Sequence, residues 1–115
     1  MTEAESRAMI AALKSAKAFV NGEVGAVETC WALCGFIHGR KGVCDKSDVD
    51  LIVAVQSETD ALPVGSLKDN WHPDFLPAKL EQLERYEAAV SSDVKDACRR
   101  LVVALEAQLA GVESR

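Results

Sequence analysis

Apolar residues recur at helical spacing along most of the chain. The first stripe follows Thr2, a predicted helix cap, and ends at Asn21 and Gly22, which supply a left-handed stop. A second stripe predicts a helix over 23–38. Because the connection is so short, the first two helices should form an antiparallel hairpin. The first stripe consists of Met9, Ile10, Leu13, Ala16, Lys17 and Val20, and the second of Val24, Val27, Cys30, Trp31, Cys34 and Ile37.

The segment 51–55 is ambiguous, because a short run rich in β-branched residues fits a buried strand as well as a helix. The sequence contains no second strand-like segment, and an unpaired strand would leave backbone groups in the core without hydrogen bonds. We therefore predict a helix over 48–58, with a start signal at Ser47. A short helical piece is predicted over 67–71, between turns rich in proline and glycine.

The last part of the chain keeps one apolar phase throughout. Since this phase continues across Ser91 and Ser92, one helix over 77–110 is favoured, with a length of about 50 Å. Two helices divided at these serines are the alternative, because serine competes for helical backbone groups. The sequence thus predicts a single all-α domain over 1–115, an antiparallel bundle of about four to five helices with a long C-terminal helix. The positions in phase are Leu76, Leu80, Leu83, Tyr86, Val90, Val94, Ala97, Leu101, Leu105, and Gln108 or Leu109.

The composition is that of a globular protein with one core. The chain has 115 residues, of which 49% are hydrophobic and 27% are charged. Its first twenty residues start with acids and lack the basic start and apolar run of a secretion signal, and no stretch approaches membrane-spanning length. A cytoplasmic location without membrane association is therefore expected. The four cysteines are accordingly interpreted as thiols rather than disulfides.

The formal charge of −5 is concentrated in the middle of the sequence. Between Cys44 and Asp74 there are seven acidic residues and two lysines, whereas the rest of the chain is balanced. This distribution disfavours a nucleic-acid surface and favours a protein partner with a cationic surface, although acidic loops can also serve solubility alone. The aromatic residues Trp31, Phe36, Trp71, Phe75 and Tyr86 are interpreted as core anchors rather than as a platform for nucleobases. The predicted partner-binding residues are Asp45, Asp48, Asp50, Glu58, Asp60, Asp69 and Trp71.

Residues 39–53 resemble the nucleotidyltransferase pattern, in which a glycine-serine turn precedes a strand with paired aspartates. In such a strand Asp48 and Asp50 would lie on one face and hold magnesium against a triphosphate. The serine after the first glycine is missing, and no later strand supplies a third carboxylate. In a helix the two carboxylates would point about 200° apart. A degenerate nucleotidyltransferase is therefore the least favoured interpretation, and we predict that the chain is not an enzyme.

Cys30, Cys34 and His38 follow one another at four-residue spacing along a predicted helix face, and Cys44 offers a fourth ligand for zinc. However, the helix already needs Cys30 and Cys34 for its apolar stripe, where a buried cysteine acts as a small hydrophobe. Structural zinc sites usually place pairs of ligands about two to four residues apart on turns. We therefore expect no metal and no other cofactor.

The run VAVQSETDALPVGSLKDNW is followed at set distances by Lys79, Glu84, Tyr86 and the run Cys98-Arg99-Arg100-Leu101. It resembles a family of small uncharacterised bacterial proteins that share an SETD-x-LPVG-x5-W signature, and the resemblance covers about residues 16–105. The resemblance implies an all-helical fold without an assigned enzymatic activity. Some members look like immunity proteins for secreted antibacterial toxins. The sequence departs from the family pattern at 39–45, so a partner contact there would be particular to this protein.

The signature also has a physical interpretation. Hydroxyls and carboxylates at 57–60 can bind free backbone N–H groups of the following turn, and 62–65 supply an apolar anchor, a fixed φ and a permissive glycine. Trp71 can pack over that turn. A turn motif and a partner-binding motif both fit these residues.

The favoured function is a non-enzymatic protein-binding module, an immunity-like inhibitor of a basic bacterial toxin, and the alternative is a homodimer or larger oligomer formed through the C-terminal helix.

Overall fold

A computed structural model describes residues 2–38 and 43–113 of the chain. Within these ranges the protein forms four α-helices and one 3-10 helix, and it contains no β-strand. The predicted all-α bundle is therefore confirmed. The helices are α1 (Glu3–Val20), α2 (Ala26–Ile37), α3 (Lys46–Glu58) and α4 (Leu76–Glu113), and the 3-10 helix (Gly65–Asn70) lies between the last two.

The two ends of α1 follow from local sequence signals. The Thr2 hydroxyl accepts the backbone N–H of Glu5 at 3.1 Å, as a helix cap does. At the other end Gly22 has a φ of 81°, and the Glu23 N–H reaches back to the Ala18 carbonyl at 2.8 Å. This left-handed stop returns the chain along α1. The end of α1 and the beginning of α2 line one groove, as an antiparallel hairpin requires.

Helix α2 begins three residues later than predicted, at Ala26, because its cap comes from α4. The Glu87 carboxylate accepts the N–H of Ala26 at 2.6 Å and the N–H of Val27 at 2.9 Å. Gly25 precedes the helix, and a Cβ at this position would lie 3.0 Å from a Glu87 carboxylate oxygen. Carboxylates stabilise helix N-termini, where backbone N–H groups lack partners. Glu87 therefore ties α4 to α2.

Helix α3 includes the ambiguous segment 51–55, so the helical prediction is confirmed there. It begins at Lys46, two residues before the predicted start, because the Asp45 carbonyl already accepts the N–H groups of Asp48 and Val49 at 3.0 Å. The start signal at Ser47 is therefore wrong. Ile52 and Val55 on this helix are buried in the core.

Helix α4 is continuous across Ser91 and Ser92, which decides between the one-helix and two-helix predictions. With 38 residues it runs the length of the molecule, whose longest dimension is 56 Å. Its C-terminal half is buried at the predicted positions Val94, Ala97, Leu101 and Leu105, whereas no residue over 76–93 is fully buried. Among the described helices, none is both long enough and apolar enough to cross a lipid bilayer.

Three predicted core positions lie on the surface. Ile10 is 53% exposed, Val24 is 40% exposed and Phe75 is 64% exposed. Val24 falls outside α2 because that helix starts later, and Phe75 belongs to the turn before α4. In α1 the buried stripe is rotated relative to the predicted one, and it consists of Met9, Ala12, Ala16 and Phe19.

Candidate functional site

The signature segment 57–65 closes the end of α3 with side chains that point into the protein. The Thr59 side chain is fully buried, and its hydroxyl accepts the Trp31 indole N–H at 2.8 Å and donates to the Val55 carbonyl at 2.7 Å. Residues 62–64 are buried as well. The hydroxyl thus bonds the preceding turn, and not the following N–H groups as predicted. This inward half of the signature builds the turn.

Backbone geometry explains the glycine of the signature. Gly65 has a φ of 57°, a conformation that costs other residues free energy, and it starts the 3-10 helix. That helix begins two residues before the short helical piece predicted over 67–71. It is followed by Trp71, which is half-buried, and by the turn that leads into α4.

Outside this turn lies an open groove of about 380 Å³, which we call the Trp71 groove. Its apolar floor includes Leu62, and two large apolar side chains remain accessible at its walls, with Leu67 exposed to 37% and Phe75 to 64%. Leu67 and Phe75 therefore offer apolar surface at the walls of one groove. The residues that line the groove are Asp60, Ala61, Leu62, Leu67, Asn70, Trp71, His72 and Phe75.

His72 orders the turn at the mouth of the groove. Its Nδ1 atom accepts the backbone N–H of Asp74 at 3.1 Å and lies 3.6 Å from the Asp74 carboxylate. The imidazole ring lies 5.7 Å from the ring of Phe75, measured between centroids. The turn thereby holds the Phe75 ring beside the groove, although the ring is largely exposed to solvent.

The acids predicted to bind a partner are only partly brought together. Asp60 lines the Trp71 groove. Asp69 is exposed on the 3-10 helix, which also contains Leu67 of the groove. Glu58 is exposed at the end of α3, where its carboxylate accepts the hydroxyl of Tyr86. Burial and this hydrogen bond raise the pKa of Tyr86, so the phenol stays protonated and fastens the end of α3 to α4.

Asp48 is not part of the acidic surface. It is only 5% exposed, and Arg100 of α4 binds both of its carboxylate oxygens, with Nε at 2.9 Å and Nη2 at 2.7 Å. The expectation that Asp48 is an exposed acid is therefore wrong, because it pairs with a cation from a distant part of the sequence. Asp50 is exposed on the same helix, as is Asp45 just before it, and neither lines the Trp71 groove.

The described residues do not form the geometry that the nucleotidyltransferase pattern or the zinc-ligand pattern requires. The nucleotidyltransferase pattern requires a strand at 51–55, but these residues are part of helix α3. Asp48 is buried on this helix, whereas Asp50 is exposed. The nucleotidyltransferase pattern begins at residues 39–42, which are outside the described residues. Most of the departure from the family pattern lies in the same four residues. Within the described ranges, no three metal-ligating side chains of His, Cys, Asp or Glu converge on one point.

The buried cysteines behave as apolar core residues. Burial raises the pKa of the Cys30 thiol to about 12 and that of the Cys98 thiol to about 11. At neutral pH both thiols therefore stay protonated, as expected of side chains in an apolar core. The position of Cys30 on the buried face of α2 agrees with its predicted place in the apolar stripe.

The sequence pattern missed Leu67, His72 and Phe75 as members of one surface. The available signal was the presence of large apolar side chains in an irregular segment that has no helical stripe to bury them. Only the fold shows that these residues meet Asp60 from the end of α3.

Comparison of the chain with family models, with curated proteins and with solved structures gives no match. The family resemblance drawn from the SETD-x-LPVG-x5-W signature therefore stays a prediction.

Proposed function

We propose that this chain is a non-enzymatic protein-binding module that binds a basic protein, in the manner of an immunity-like inhibitor of a toxin. One observation carries the proposal. The Trp71 groove, with its exposed apolar and aromatic walls, is lined almost entirely by residues of the segment 44–74, which contains the excess negative charge of the sequence. Of the acids in this segment, Asp48 is paired with Arg100, whereas Asp45, Asp50, Glu58, Asp60, Asp69 and Asp74 are exposed.

The groove and the acids supply different parts of an interface. Tryptophan is enriched among the residues that dominate binding energy, and the neighbouring Leu67 and Phe75 offer apolar surface that a partner can bury. Exposed acids such as Asp60 and Asp69 attract a cationic surface and accelerate encounter. Inhibition of an enzyme by masking its cleft requires no chemistry from the inhibitor.

Two hydrogen bonds hold the end of α3, next to Asp60 of the groove. The Trp31–Thr59 hydrogen bond holds the turn from inside, and the Tyr86–Glu58 hydrogen bond holds the end of α3 against α4. An ordered surface loses less conformational entropy when it binds. This favours a preformed interface over one that orders on contact.

The test uses the purified product of each gene that flanks this one, as candidate partners. For the product that binds, association rates are measured at several salt concentrations with the wild-type chain and with a variant carrying Asp50→Asn, Asp60→Asn and Asp69→Asn. We expect association about tenfold slower at low salt, and a flatter dependence on salt. The melting temperature should change little, because isolated exposed charges contribute little to stability.

A second triple variant provides the control. It removes the same number of negative charges from exposed acids outside the central segment, through Glu3→Gln, Glu23→Gln and Asp93→Asn. Its association rate should stay closer to that of the wild type. Equal slowing by both variants would show that net charge alone acts, and an unchanged rate in the first variant would remove the acidic surface from the interface.

A further inference from the structure

The Trp71 groove combines an apolar floor with one carboxylate at its edge. Leu62 is 5% exposed at the floor, Trp71 is half-buried at the wall, and Asp60 is exposed. No lysine or arginine occurs among the described residues that line the groove. A ligand thus meets apolar and aromatic groups, the Asp60 carboxylate, the Asn70 amide and the His72 imidazole together.

This combination selects a side chain that is apolar along its stem and cationic at its end. A purely apolar side chain would take water away from the Asp60 carboxylate without giving it a hydrogen bond, which costs free energy. A lysine ammonium is a compact and strongly hydrated charge. An arginine stem can lie on Leu62 and Leu67, while its flat guanidinium stacks on an aromatic face and donates two hydrogen bonds to one carboxylate.

We infer that the Trp71 groove is a binding site for an arginine side chain, with Trp71 as the stacking surface and Asp60 as the counterion. The inference rests on the proposed function in that the arginine would belong to the basic partner. The side chain that the partner inserts therefore ends in a guanidinium.

The two tryptophans of the chain make a direct test possible. In a ¹H–¹⁵N spectrum of the full chain, the Trp71 indole N–H should shift saturably on addition of Nα-acetyl-argininamide. The Trp31 indole N–H should not shift, because it is bonded to the buried Thr59 hydroxyl. Trp71→Phe assigns the two signals. Nα-acetyl-citrullinamide has the same shape without the charge, and it should bind about tenfold more weakly.

Matched variants locate the counterion. Asp60→Asn should weaken arginine binding severalfold, whereas Asp93→Asn removes the same charge from an exposed site on α4, outside the groove, and should leave arginine binding unchanged. Absence of a saturable Trp71 shift, equal binding of the citrulline compound, or equal binding of Nα-acetyl-lysinamide would overturn the arginine assignment.

The outcome is separable from that of the proposed function, because the two tests use different probes. If a flanking gene product binds the chain while argininamide does not, the protein-binding function stands and the arginine site is lost. If argininamide binds and no flanking gene product does, the site stands and the partner proposal fails.

Discussion

Replacing Thr59 by valine should lower the free energy of unfolding by about 2 kcal/mol, although the two side chains have nearly the same size. The Thr59 hydroxyl is fully buried and accepts the Trp31 indole N–H at 2.8 Å. Valine offers no acceptor, so the indole N–H loses its partner, and an unsatisfied donor costs roughly 1–3 kcal/mol. Urea unfolding followed by circular dichroism measures the difference.

Two further variants show whether the hydroxyl is responsible. Thr59→Ser keeps the hydroxyl and removes only a methyl group, so it should cost about 0.8 kcal/mol. Ser57→Ala removes an exposed hydroxyl from the same signature and should have almost no effect. If Thr59→Val proved as stable as Ser57→Ala, the inward half of the signature would not hold the turn as described.

Replacing Glu87 by alanine should lower the free energy of unfolding by about 1–2 kcal/mol. The substitution removes both carboxylate acceptors from the N-terminus of α2, and Gly25 has no side chain to replace them. Glu84→Ala on the same helix is the control, because Glu84 is exposed. Its effect on stability should be small, and equal effects of the two variants would contradict the cap.

A double-mutant cycle tests the same contact from the other side. Gly25→Ala should destabilise the wild-type protein, because the new Cβ would lie 3.0 Å from a Glu87 carboxylate oxygen. In the Glu87→Ala background that neighbour is gone, so the same substitution should cost much less. Strictly additive effects would show that Gly25 and Glu87 do not interact.

The features predicted correctly from the sequence depend on signals close together in the chain. The α1 cap at Thr2 and the stop at Gly22 each involve residues within one or two turns. The apolar phase of α4 extends over many turns and outweighs Ser91 and Ser92. Such signals are read directly from the order of residues, because the periodicity of a helix determines which side chains share a face.

The features that the sequence did not predict depend on residues far apart in the chain. Glu87 caps a helix that begins 61 residues earlier, so the start of α2 lacked a visible local cap. Asp48 pairs with Arg100 across 52 residues, so counting acids along the segment placed a buried carboxylate on the surface. The Trp71 groove likewise joins Asp60 to a later turn, and only the packing of the chain brings them together.

The most direct measurement of the proposed function is the affinity of the chain, after Trp71→Ala, for whichever flanking gene product binds the wild type. We predict a loss of about 30-fold or more, mainly through faster dissociation, because an aromatic anchor governs the lifetime of a complex. Val103→Ala is the matched control, since Val103 is 71% exposed on α4 and does not line the groove. Unchanged affinity after Trp71→Ala, or a larger loss after Val103→Ala, would contradict the Trp71 groove as the binding surface.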